Sequence, residues 1–270
     1  MNDLTNIAVV TTNEELSELY CVKCANELFA GVPNVEIEPR YTWEDNSTDV
    51  PNHCPNCDVL LEEDLTDFGL DYVREHVLGE LAEGNTLALD PESPVGEWHA
   101  RWGNEISNSR DVSEILDYAD VLAGYLESLV WTGTIDFMTA TSEFGGECLV
   151  SDGILDHVYS VDDISPDILA SCTADVDSFI DQVGEYLKYW ELPEHLTAGQ
   201  LGHDFNLTRN HHGAGFWDRG YGDLGDWLTR VAQAMGSQSL YGSIVLIDPS
   251  SESLEKSNLD MSTLSVHLEG

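Results

Sequence analysis

Four of the six cysteines stand in two pairs, Cys21-Val22-Lys23-Cys24 and Cys54-Pro55-Asn56-Cys57. Two Cys-x-x-Cys pairs on tight turns can point four thiolates at one tetrahedral ion, and zinc is the usual ion for an all-sulfur set. Pro55 favours such a turn. The segment between the pairs, residues 25–53, is longer than the usual ~15–20 residues. It holds a turn at Gly31-Val32-Pro33, a strand pattern at Val35-Glu36-Ile37-Glu38 and a polar stretch from Asp45 to Asp49, which suits a hairpin loop between two knuckles of a zinc ribbon. His53 precedes Cys54 and is a possible substitute ligand. The competing readings are a disulfide pair, which needs an oxidising compartment, and a redox Cys-x-x-Cys, which needs only one pair. A four-coordinate ion leaves no position for water, so this Zn2+ is expected to fold the chain and not to catalyse. Cys148 and Cys172 stand alone and read as small buried residues.

A second polar set lies in residues 203–219: His203, Asp204, Arg209, Asn210, His211, His212, Asp218 and Arg219. One reading is an acid/base site around His203 and His212, with an aspartate orienting an imidazole. Another is a histidine and carboxylate metal site. The third is structural: Arg209 and Arg219 pair with Asp204 and Asp218 while the histidines occupy an exposed turn. No nucleophile elbow, phosphate-binding loop or zinc-protease motif occurs anywhere in the chain, so an enzyme is the less favoured class.

Charge restricts the partners. The 270 residues carry 51 acids against 10 bases, a net charge of −41. Residues 1–195 hold −36 of it, and lysine is scarce at 3 against 7 arginines. A chain this acidic repels nucleic acid and anionic membranes, each of which needs a basic surface. No apolar run reaches the ~18–20 residues of a membrane span, and the opening MNDLTNIAVVTTNEE has no basic segment ahead of its apolar stretch, so it does not read as a secretion signal. These features predict a soluble, cytoplasmic protein. The acids are interspersed with apolar residues, so they decorate folded elements. Three readings stay open: an ordinary acidic protein, a coat suited to high salt, and a mimic of DNA that occupies a basic protein cleft.

The elements that must carry these residues follow from periodicity. A short helix or knuckle surrounds the first cysteine pair over 14–30. A helix over 71–83 places Tyr72, Val73, Val77, Leu78 and Leu81 on one face. Residues 85–110 read as a linker with Trp98 and Trp102. A helix fits 111–130, with Ile115, Ala119, Leu122 and Leu126 inward and Asp111, Glu114, Asp117 and Asp120 in water. Short strands and turns follow around Gly145-Gly146. Ser165-Pro166 starts a helix to about Tyr189 that buries Ile168, Leu169, Val176, Phe179, Ile180, Val183 and Leu187. Alternation of Phe205, Leu207 and Arg209 predicts a strand, Asn210-His211-His212-Gly213 a turn, and Gly215-Phe216-Trp217 the returning strand. A helix over Asp223 to Met235 and a strand over Ser239 to Ile247 complete a strand-strand-helix-strand module. The expected class is α+β, divided into a zinc-ribbon-like segment (1–70), a helix and linker (71–110), an α+β domain (111–250) and a C-terminal tail (251–270).

The stretch Ala198-Gly199-Gln200-Leu201-Gly202-His203-Asp204-Phe205, then Leu207-Thr208-Arg209-Asn210, then His212-Gly213-Ala214-Gly215-Phe216-Trp217-Asp218-Arg219, resembles a family of small uncharacterised proteins of tailed bacteriophages. The resemblance extends weakly back through Val161-Asp162-Asp163-Ile164 and covers roughly residues 120–247; the zinc-binding front lies outside it. Asn206 stands where an aromatic is usual and His211 where glycine is usual, which puts the positive-φ position of the turn on either His211 or Asn210. The resemblance implies a phage accessory protein in the host cytoplasm. With the charge, it implies action by binding a host or phage protein with a basic surface, as a DNA mimic for example; the alternatives are the His203/His212 enzyme and a zinc-stabilised virion or assembly component.

Overall fold

A computed structural model describes residues 4–12, 17–41, 47–84, 90–107, 112–139, 148–248, 250 and 254–270. The class is α+β, and the chain divides into two compact units, Met1–Ser107 and Asn108–Gly270.

In the first unit, β1 (Leu4–Thr12), β2 (Ser17–Cys21) and β3 (Val35–Tyr41) form an antiparallel sheet of order β2-β1-β3. The central strand β1 buries residues to both sides, as alternation dictates for a covered strand. Ile7 packs with Cys21, Cys24, Cys54 and Leu61, while Ala8 and Val10 pack with Ala25. Ala25 belongs to α1 (Val22–Phe29), which begins directly after β2. The first cysteine pair therefore sits at a strand-to-helix junction and not on a hairpin of a ribbon. Two short strands, β4 (Ser47–Thr48) and β5 (Asp64–Leu65), pair in parallel. Helix α2 (Asp67–Ala82) follows, capped by Thr66, with Val73, Val77 and Leu81 buried at four-residue steps. The expected linker over 85–110 contains a helix, α3 (Pro94–Trp102). Ser93 caps it with a proline at its first position, the same start signal as Ser165-Pro166.

Among its described residues the second unit packs four helices with a four-stranded sheet. Its helices are α4 (Tyr118–Thr132), α5 (Pro166–Leu187), α6 (Ala198–Arg209) and α7 (Asp223–Ala234). Its strands are β6 (Thr134–Thr139), β7 (Cys148–Ile154), β8 (Ser239–Leu246) and β9 (Leu259–Glu269), in the order β7-β6-β8-β9. β6 and β8 run parallel and the two outer pairs antiparallel. β8 buries Leu240, Gly242, Ile244 and Leu246 in strict alternation. α5 buries Ile168, Cys172, Val176, Phe179, Val183 and Leu187, a stripe at three- and four-residue steps, whereas Leu169 faces outward. Asp111 and the Gly145-Gly146 turn lie outside the described residues. None of the described helices is long and apolar enough to cross a membrane.

Two expectations for the C-terminal module are corrected. Residues 198–209 form α6, not a strand, and Phe216–Asp218 form a 3-10 turn, not the returning strand. The cause is burial. Every residue from Asp204 to Arg209 is buried, so this second half of α6 has no wet face and shows no helical period. The alternation of Phe205, Leu207 and Arg209 is incidental, and partial exposure is confined to Gly199, Gln200 and His203 in the first half. The last residues are also not a tail, because β9 pairs with β8 from Ser239↔Glu269 to Leu246↔Leu259.

Glycines set the depth of α6. A Cβ on Gly124 of α4 would overlap the Gly199 carbonyl, and one on Gly202 would overlap the Val121 carbonyl. The two helices thus touch backbone to backbone. Gly202→Ala is expected to destabilise the protein by at least ~1–3 kcal/mol through overpacking. Gly79→Ala, on α2 with nothing within 4 Å of the added carbon, should stabilise by ~0.5–1 kcal/mol. Urea unfolding of both variants tests the pair; a neutral Gly202→Ala refutes the close contact.

Candidate functional site

The structure brings all four predicted cysteines together: one sulfur from each lies within 4.8 Å of the others. Cys21, Cys24 and Cys54 are buried and Cys57 is exposed, and all four are free thiols. Two local devices aim them. Cys21 is the N-cap of α1, and its sulfur accepts from the Cys24 backbone N–H at 3.4 Å. The second pair sits in a tight turn: Asp58 N donates to Cys54 O and Cys54 N to Val59 O, both at 2.8 Å. Asp58 closes this turn with φ 60°, a left-handed conformation that aspartate tolerates. Asn56 Nδ2 donates to Cys24 Sγ at 3.2 Å, tying the two turns together.

These amides tune the sulfurs. Burial pushes the Cys21 thiol up. Burial acts on Cys54 in the same direction, but the backbone N–H groups of Cys21, Asn56 and Cys57 outweigh it and bring Cys54 down to about 6. A set with one acidic thiol among neighbours that resist ionisation is suited to a cation, whose charge allows the remaining sulfurs to ionise. His53 is not needed as a ligand. Its Nε2 accepts from Trp98 Nε1 at 3.2 Å, so Nδ1 carries the proton and donates to Asp58 O at 2.9 Å. The imidazole braces the knuckle from outside. Trp98 in turn packs with Tyr72 and His76 of α2, ring centroids 6.1 and 5.8 Å away.

The second set is spent mostly inside the second unit. Asp204 is fully buried and accepts both Nε and Nη2 of Arg219, at 2.9 and 2.6 Å. Arg209 does not reach Asp204 or Asp218. Its Nη1 donates to Asp175 at 2.8 Å and to the Tyr125 hydroxyl at 3.0 Å, while Nε and Nη2 donate to the carbonyls of Gly236 and Met235. Asp218 instead accepts from Gly215 N at 3.0 Å. Asn210 donates to Asn206 Oδ1 and Gln238 O and accepts from Gln238 N. Thr208 Oγ1 accepts from Phe216 N. Burial pushes the Tyr125 phenol well up, so it stays a neutral donor, to Gln238 Oε1 at 2.8 Å.

The histidines do not share a site. His203 lies in the second turn of α6 and His212 beyond its C-terminus, with six residues of helix, ~9 Å of rise, between His203 and Arg209. His203 Nδ1 is 3.5 Å from Asp204 Oδ1, and its ring stacks on Trp131. It borders a cleft of about 460 Å3 lined also by Glu114, Asp120, Glu127 and Gln200. Burial lowers His212, favouring its neutral form. His211 takes the positive φ, 53°, while Asn210 does not. It is the left-handed residue of a Schellman turn: His212 N donates to Leu207 O and His211 N to Thr208 O. Cys172 is buried as expected, and the Cys148 side chain lies outside the described residues.

Sequence reasoning missed Tyr125, Asp175 and Gln238, which complete the Arg209 and Asn210 networks. Asp175 carried a usable signal, since it adjoins Val176 on the buried stripe of α5. Arg219→Ala leaves Asp204 buried without its cation and should cost ~3–5 kcal/mol. His203→Ala removes a partly exposed ring and should cost under ~1 kcal/mol. Equal losses in chemical unfolding would refute this division. In comparisons with known proteins, no family model, no curated protein and no solved structure matches the chain.

Proposed function

We propose that the protein is a zinc-stapled accessory protein of a tailed phage that acts by binding a basic surface on another protein. The metal reading rests on the tetrad. With Zn–S near 2.3 Å, a tetrahedral ion separates its sulfurs by ~3.8 Å, and Cys21 and Cys57 already stand 3.6 Å apart. Four thiol donors suit zinc and fill its coordination, so the ion would hold structure and leave no position for a substrate. Purified protein should carry about one zinc per chain. Chelation, or Cys54→Ser, should open residues 1–107 in hydrogen exchange; metal analysis that finds no zinc refutes this part.

The binding reading is carried by one observation: exposed carboxylates recur at four-residue steps along two helices. On α2 they are Asp67, Asp71 and Glu75, with Glu83 just past its end; on α5 they are Asp177, Asp181 and Glu185. Four residues of helix rise ~6 Å, against ~3.4 Å per phosphate along one DNA strand. The α5 row thus offers about half the linear charge of a strand, and the α2 row less, because Arg74 Nη1 pairs with Asp71 at 2.8 Å; this is enough to attract a basic groove without copying a duplex. The 203–219 motif speaks against turnover, because Asp204 and Arg219 hold each other and Arg209 is held by Asp175 and Tyr125.

A coat for high salt is the second reading. It is favoured by the spread of exposed acids over other elements, including Glu36 and Glu38 on β3, Asp117, Asp120 and Glu127 around α4, and Asp223 and Asp226 on α7. Both are tested with a basic DNA-binding protein as probe. Binding should weaken steeply with salt, compete with duplex DNA, and fall on the triple neutralisation Asp71→Asn, Glu75→Gln, Glu83→Gln. Loss of the fold below molar salt, with no binding to the probe, supports the coat instead.

A further inference from the structure

We infer that the tetrad is also a peroxide-sensitive latch, with Cys57 as the reacting sulfur and Cys21 as its resolving partner. The inference rests on the zinc reading and adds a regulation to it. Cys57 alone among the four is exposed, at the end of the Cys54-Pro55-Asn56-Cys57 turn, while Cys21, Cys24 and Cys54 are buried. An oxidant arriving from solvent meets Cys57 first, and with a cation bound its sulfur would be a thiolate, the form oxidation selects where it is accessible. The Cys21 sulfur stands 3.6 Å away. A disulfide needs ~2.05 Å, a closure of ~1.5 Å that side-chain rotation can supply.

The chemistry balances with hydrogen peroxide as oxidant. The Cys57 thiolate attacks one peroxide oxygen. The O–O bond breaks, the sulfur becomes a sulfenic acid, and hydroxide leaves. The Cys21 thiolate then attacks that sulfur, forming the S–S bond and expelling a second hydroxide. Two thiolates lose two electrons and one hydrogen peroxide gains them. Two of the four anionic donors are then spent, and Cys24 and Cys54 alone would be left to hold a zinc ion. The consequence reaches beyond the site, because Cys21, Cys24 and Cys54 form the buried cluster with Ile7 and Leu61.

The test uses the full chain after its zinc content has been measured. Hydrogen peroxide is added with a colorimetric zinc indicator, and the disulfides are mapped by peptide mass spectrometry. The expected result is release of the bound zinc together with a Cys21–Cys57 disulfide, both reversed by a dithiol and added zinc. Cys57→His keeps a ligand but removes the reacting thiolate, and should slow release at least about tenfold. Release at an unchanged rate in Cys57→His overturns the inference. Should that variant fail to fold, the order of oxidation in the native chain decides, and any cysteine oxidised ahead of Cys57 overturns it. A chain purified without zinc refutes the metal reading separately. The disulfide map then stands alone, and a first bond other than Cys21–Cys57 overturns the latch.

Discussion

The backbone contact between α4 and α6 sets the terms for the second unit. With Gly124 and Gly202 in place, α6 sinks until carbonyls of one helix meet the Cα atoms of the other. At that depth every side chain from Asp204 to Arg209 is enclosed, and a polar side chain so enclosed must find partners or cost several kcal/mol. The rest follows as a set of answers to that demand. Arg219 comes back from the loop to meet Asp204, Asp175 and Tyr125 meet Arg209, and Asn206 and Asn210 form a ladder toward Gln238. Aromatic stacking fills the space between, with Phe205 and Phe179 4.1 Å apart and almost parallel.

The first unit solves a different problem. Around the tetrad its three-stranded sheet supplies two small clusters, Ile7 and Leu61 with the cysteines, and Ala8 and Val10 with Ala25. A metal held there would add folding energy to them. The cysteines serve as core residues and as candidate ligands together, which is why three of them are buried among aliphatic side chains. His53, Trp98, Tyr72 and His76 then tie the knuckle to α2 and α3 by ring contacts.

What was legible in the sequence tracks amphipathicity. The α2, α5 and α7 segments each have one wet face, and their periods gave type and approximate bounds. The cysteine pairs gave the tetrad because ligand spacing is a local signal. α6 hides because burial of Asp204 to Arg209 erases the period, and α3 because nine residues beginning at Pro94, just after Pro91, are too short to show one. The ribbon was an inference from spacing alone; nothing in Cys-x-x-Cys says whether the chain leaves the turn as a strand or a helix. The Arg219–Asp204 pair was legible because both ends lie in one motif, but the partners of Arg209 were not, since Asp175 and Tyr125 come from helices distant in sequence.

The parallel pairing of β6 with β8 also has a kinetic side. Thr134 lies opposite Tyr241 and Thr139 opposite Leu246, roughly a hundred residues apart, with three helices in between. Loop closure of that length has to precede any reward from the pairing. The α4–α6 contact shares the delay, since its glycines are some 75 residues apart. The cysteine turns close over 36 residues. During synthesis the first unit can therefore assemble while the second is still emerging, and the second must fold late, as a cooperative whole, with the edge of β6 left open until β8 arrives.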